Sequence, residues 1–141
     1  MKIKDIMTGD PAVCTRDTSL EEVAKLMVDC DCGLIPVVES EQSMRPIGAI
    51  TDRDIVVRLL AKGKNPLECK VEAAMTRDCV TASMDSELDE AIELMENNQI
   101  RRLMIVDEDD VLCGVVSQAD IARQDRDLAG EVVERVSQPS A

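Results

Sequence analysis

The stretch Asp17-Thr-Ser-Leu20-Glu-Glu-Val-Ala-Lys-Leu-Met27 returns later as Asp85-Ser-Glu-Leu88-Asp-Glu-Ala-Ile-Glu-Leu-Met95. Laid over one another at constant spacing, residues 17–38 and 85–106 match Asp17 with Asp85, Leu20 with Leu88, Glu22 with Glu90, Leu26 with Leu94, Met27 with Met95 and Val38 with Val106. The chain is therefore an internal duplication. Upstream, Met7-Thr8 matches Met75-Thr76. Downstream, Gly48-Ala-Ile-Thr51-Asp-Arg-Asp54-Ile55 matches Gly114-Val-Val-Ser117-Gln-Ala-Asp120-Ile121 after a two-residue shift. A copy of this size buries too little surface to be stable alone, so the two are expected to pack face to face around a shared core.

Periodicity gives the order of elements within each copy. Leu20, Val23, Ala24 and Met27 fall at i, i+3, i+4 and i+7, as do Leu88, Ala91, Ile92 and Met95, which predicts one amphipathic helix per copy. Thr18 with Glu21, and Ser86 with Asp89, stand where an N-cap and its reciprocal partner belong. Two strand-like runs follow each helix: Leu34–Val38 and Ile47–Ile50, then Leu103–Val106 and Val111–Val116. A second helix follows each pair. The first of these, from about Asp52, is expected to stop at Gly63-Lys-Asn-Pro66, a glycine C-cap followed by a terminating proline. The expected organisation is repeat 1 over residues 1–62, a linker over 63–70, repeat 2 over 71–126, and a short helix with a polar tail over 127–141.

Composition narrows the function. Among 141 residues, 29 are acidic and 16 basic, a formal charge of −13 that repels phosphodiester backbones and anionic membranes. No nucleic-acid or membrane partner is expected. The N-terminus lacks the apolar run of a signal peptide, which points to the cytoplasm. The chain has no His, Phe, Tyr or Trp, so His-dependent triads are excluded and most hydrolase readings lose their base. Six cysteines, with no Cys-x-x-Cys pair, give no familiar zinc site, and no metal or required cofactor is expected. A redox-sensitive disulfide involving Cys14 or Cys32 stays open beside the plainer reading of small core residues.

A duplicated β-α-β-β-α unit, with Met-Thr at its head and Gly-x-x-Thr/Ser-x-x-Asp at its second helix, closely resembles the CBS domain family. Over about residues 1–125 the chain looks like a stand-alone prokaryotic CBS pair, or Bateman module. The resemblance implies an α/β (α+β) fold of two repeats with pseudo-two-fold symmetry. It also implies a regulatory, non-enzymatic module that binds an adenine nucleotide or adenosyl compound, such as AMP, ADP, ATP or S-adenosylmethionine, in clefts between the repeats; the alternative is a structural or redox-responsive dimer that binds no nucleotide. Its partners would be that ligand, an unknown regulated protein, and a second copy, since CBS pairs commonly associate through helices like that carrying Ile55, Val56, Leu59 and Leu60.

The residues suit such a ligand. In Gly48-x-x-Thr51-x-x-Asp54 a strand meets a helix N-terminus whose N–H groups suit a phosphate, while the Asp carboxylate suits the two neighbouring hydroxyls of a ribose. Ser117 and Asp120 repeat this arrangement. Both motifs also read as plain capping boxes. By family position Thr76, Val80, Ile100, Arg101 and Arg102 fall to Asp54's cleft, and Thr8, Val13, Cys32 and Gly33 to Asp120's. Arg101 and Arg102 would supply the local cations a phosphate needs on so acidic a protein, which favours the Asp54 cleft. The competing reading has them balancing acids such as Asp107 and Glu108.

Overall fold

The computed structural model describes residues 1–77 and 80–124. The expected C-terminal helix beyond 127 lies outside the described residues, as does Cys79. The elements, in chain order, are β1 (Thr8–Gly9), α1 (Leu20–Cys30), β2 (Leu34–Val38), β3 (Pro46–Thr51), α2 (Asp52–Arg58), β4 (Thr81–Ser83), α3 (Leu88–Asn98), β5 (Arg102–Val106), β6 (Leu112–Ser117) and α4 (Gln118–Gln124). The fold is α+β, and among the described residues each helix and strand run read from periodicity is present.

The chain forms two compact units that do not coincide with the two repeats. One holds Met1–Asp10 together with the described residues from 80 onward; the other holds 11–77. The head of each repeat has changed partners. In the first unit the sheet order is β1-β6-β5-β4, with Thr8 opposite Val115 and Gly9 opposite Gly114. In the second, β2 and β3 pair antiparallel, Thr76 bridges to Ala49 on β3, and Cys14 bridges to Val37 on β2. Thr8 and Thr76 thus do equivalent work in opposite units. The buried side chains form two clusters, one in each unit. Ile3 enters the cluster of α3, β5 and β6, while Val71, Ala74 and Met75 enter that of α1, β2 and β3.

The glycines at the head of the two motifs explain how the exchanged segments fit. A Cβ on Gly48 would lie 2.3 Å from the Thr76 carbonyl oxygen, and one on Gly114 would lie 2.5 Å from Met7 Sδ and 2.9 Å from the Thr8 oxygen. Neither position has room for a side chain. At each of these glycines the close approach is made by the Met-Thr pair of the other repeat.

Helix α1 begins one residue later than its expected box. Ser19 is the N-cap and accepts from the Glu22 N–H at 3.2 Å. Thr18 is unavailable because its hydroxyl accepts the Thr15 N–H at 3.0 Å. For α3 the expected Ser86 cap is replaced by Glu87, which makes no side-chain cap. The Leu88 N–H instead donates to the Met1 carbonyl at 2.9 Å, so the N-terminal segment performs the capping. Helix α2 yields at Leu59 to a short tight turn over Leu60–Lys62, which ends at Gly63 with φ 77°, the left-handed conformation expected of this C-cap. Ala24, expected on the core stripe of α1, is exposed. Among the described residues no helix is long and apolar enough to cross a membrane.

Candidate functional site

Both Thr/Ser-x-x-Asp motifs form complete reciprocal caps. The Asp54 N–H donates to the Thr51 hydroxyl and the Thr51 N–H to Asp54 Oδ2, each at 3.0 Å. The Asp120 N–H donates to Ser117 Oγ at 3.2 Å, and the Ser117 N–H to Asp120 Oδ2 at 2.9 Å. One carboxylate oxygen of each Asp is therefore committed to folding, and any ligand must be met by the rest of the carboxylate.

The helix N-terminus does not stand open for a phosphate, which corrects the expectation. At α2 the N–H of Asp52 donates to the Gly33 carbonyl at 3.1 Å, that of Arg53 to Asp52 Oδ1 at 2.7 Å, and that of Asp54 to Thr51. Asp52 and Asp54 also bring negative charge to this end. At α4 the Gln118 N–H is taken by the Arg101 carbonyl at 3.0 Å. A phosphate would have to be met by side chains.

Around the remaining carboxylate oxygens the two sites differ. The Thr76 hydroxyl donates to Asp54 at 3.4 Å from either oxygen, and Arg58 Nε lies 3.7 Å from Oδ1. The same guanidinium donates through Nη1 to the Met75 carbonyl at 3.0 Å. Asp120 is more deeply buried, at 7% exposure, and its Oδ1 is in direct contact with Arg123. Arg58 and Arg123 were not among the residues singled out from sequence, although Asp54-x-x-x-Arg58 and Asp120-x-x-Arg123 have the spacings at which helical side chains meet. Thr8, the counterpart of Thr76, is exposed, and among the described residues it makes no hydrogen bond to Asp120.

Of the residues expected in Asp54's cleft, Thr51, Asp54 and Thr76 come together within the 11–77 unit, whereas Val80, Ile100, Arg101 and Arg102 belong to the other. Val80 and Ile100 are half-buried against the core of their own unit. For the second set, Thr8, Ser117 and Asp120 share one unit, while Val13, Cys32 and Gly33 belong to the other. A Cβ on Gly33 would lie 3.0 Å from Asp52 Oδ2, the end of an exposed side chain. Arg101 and Arg102 are exposed, and among the described residues neither forms an ion pair, with Asp107 and Glu108 or with any other acid.

Cys14 is unsuited to redox chemistry. It is buried, its Sγ donates to the Pro36 carbonyl at 3.6 Å, and burial, reinforced by the carboxylate of Glu22, pushes its thiol up to about 12. The reactive form of cysteine is the thiolate, so Cys14 is an inert core residue. Among the described residues no group of three or more Cys, Asp or Glu side chains is placed to hold a metal ion.

Comparison with known proteins agrees with this architecture. The family model for the CBS domain matches twice, over residues 3–61 and 71–127. YlbB of Bacillus subtilis, an uncharacterised protein, is 36% identical over 139 residues, covering 97% of this chain and 92% of that one. The uncharacterised MK0525 of Methanopyrus kandleri is 34% identical over 133 residues, and the match spans 94% of this chain but 64% of that protein. Among solved structures, the CBS domain pair of MJ0100 in complex with 5′-methylthioadenosine and S-adenosylmethionine superposes with a TM-score of 0.77 at 29% identity, covering 88% of this chain and 98% of that one.

Proposed function

The chain belongs to the CBS domain family as a tandem pair, and from that premise we propose that it is a ligand-sensing regulatory module. Its ligand is an adenine nucleotide or adenosyl compound, and Asp54 holds the ribose. The observation that carries this reading is the state of the Asp54 carboxylate. One oxygen is fixed by the Thr51 cap at 3.0 Å, while the side chains at the other stand at 3.4 and 3.7 Å. An acceptor so placed is preorganised yet can exchange partners. The adenosyl ligands of the MJ0100 pair support the ligand class. With no aromatic ring in the chain, the adenine would be held by burial against aliphatic side chains. Asp120, with Arg123 seated on it, is the lesser site.

Three further readings belong to this proposal. Arg101 and Arg102 meet a ligand phosphate, supported by their exposure and by the absence of acidic partners among the described residues. The protein acts in the cytoplasm as a regulator of another protein, without catalysis of its own. Copies associate through α2 and the turn that follows it, supported by the exposed apolar side chains of Val56, Val57 and Leu60.

The test exploits the missing aromatics. In nucleic-acid-free protein, absorbance near 260 nm reports a co-purified nucleotide directly. After removal of any such ligand, AMP, ADP, ATP, S-adenosylmethionine and 5′-methylthioadenosine are titrated singly by calorimetry and thermal shift. At least one should bind and raise the melting temperature, because a ligand of the folded state stabilises by RT ln(1 + [L]/Kd). Replacing Arg101 and Arg102 with Gln should weaken AMP roughly tenfold and spare adenosine. Silence from all five at millimolar concentration contradicts the sensing function.

A further inference from the structure

We propose that Arg58 is a positioning residue that latches helix α2 to the Met75-Thr76 segment through Asp54, and that a ligand engaging Asp54 opens this latch. The inference rests on the ligand reading above and adds its route of transmission. A carboxylate offers about four acceptor sites. Two donors hydrogen-bond to Asp54, the Thr51 N–H to Oδ2 at 3.0 Å and the Thr76 hydroxyl at 3.4 Å, and the Arg58 guanidinium stands as an ion pair over Oδ1 with Nε at 3.7 Å. Two neighbouring ribose hydroxyls need the remaining two sites, and Arg58 is the group standing over Oδ1, the oxygen the cap leaves open. The Thr51 N–H is fixed by the strand–helix junction. Arg58 makes the longest contact, an ion pair from a half-exposed side chain, and it is the group that yields.

Its departure is felt elsewhere because the guanidinium is a rigid plane. Nε cannot swing away from Asp54 without disturbing the 3.0 Å bond from Nη1 to the Met75 carbonyl. That carbonyl sits in the segment that packs against β3, where the Thr76 N–H donates to Ala49 at 2.8 Å and the Thr76 oxygen crowds Gly48. Through this segment the chain leaves the 11–77 unit for the other. Occupation of Asp54 is thereby converted into loosening of a crossing segment, a change a partner protein can read. The second repeat has no counterpart: Arg123 bonds Asp120, and among the described residues it makes no bond to Met7, the equivalent of Met75.

The experiment follows amide hydrogen exchange in wild type, Arg58→Gln and Arg58→Lys, each without ligand and with 5′-methylthioadenosine, whose 5′ side carries no charge to be disturbed by losing an arginine. Without ligand, the amides of Ala74, Met75 and Thr76 should exchange several-fold faster in both variants, because a lysine cannot span the two contacts. Amides of Cys14 and Val38 in the same unit should be unchanged. 5′-Methylthioadenosine should speed exchange at 74–76 in wild type, add nothing in Arg58→Gln, and bind that variant about two- to fivefold more tightly. Wild-type exchange in ligand-free Arg58→Gln, or weaker binding by it, overturns the latch. If wild type binds none of the five compounds, the ligand reading falls and the opening step with it, while the ligand-free comparison still decides whether Arg58 holds the segment.

Discussion

Helix α3 sinks Leu88, Ala91, Ile92 and Met95 into its core, whereas α1, in the same register, fully buries only Leu20 and Val23 and leaves Met27 half-covered and Ala24 in solvent. The second Thr/Ser-x-x-Asp motif is likewise the tighter, with Asp120 buried under Arg123 while Asp54 keeps longer contacts to Thr76 and Arg58. One pattern has been used twice, once for stability and once with slack. The slack lies where an exchangeable ligand would need it. A duplicated sequence therefore does not specify a duplicated role, because depth of burial depends on what the rest of the molecule lays over each copy.

The sharpest way to break this comparison is to truncate equivalent core positions. Met95→Ala should cost about 3 to 4 kcal/mol in urea unfolding, because a fully buried side chain leaves a cavity, while Met27→Ala should cost about 1. Equal losses would show that the two copies are buried alike. The glycines form the next pair. Gly48→Ala drives a methyl into the backbone oxygen of Thr76 and should cost about 3 kcal/mol. Gly114→Ala meets first the flexible end of Met7 and should cost about 1 to 2. A larger loss at Gly114 would place the tighter backbone approach in the wrong repeat.

Much of this fold was legible because periodicity is a local signal. The strand run Leu34–Val38 and the stripe from Leu88 to Met95 needed no knowledge of what they would pack against. The caps were less legible because they depend on competition. Thr18 satisfies the rule for an N-cap, but the Thr15 N–H reaches its hydroxyl first, and the Leu88 N–H finds a carbonyl at Met1, far away in sequence. The exchange of head segments left no mark on the alignment, since repeats align by ancestry and not by where their strands dock. At the site, Asp54 and Thr76 could be paired by family position. Arg58 could have been found from its spacing to Asp54, had the arginines next to Leu103 not already accounted for the cation a phosphate requires.

The central claim is that the slack site, not the tight one, takes the ligand. It is tested most directly by calorimetric titration of 5′-methylthioadenosine and AMP into wild type, Asp54→Ala and Asp120→Ala. Both carboxylates close a capping box, so each variant carries a folding cost of at least about 1 kcal/mol, larger at the more deeply buried Asp120, and affinity separates the site from the scaffold. Loss of at least about tenfold in Asp54→Ala, with Asp120→Ala within about threefold of wild type, is the expected result. Undiminished binding by Asp54→Ala, or a greater loss in Asp120→Ala, would contradict it.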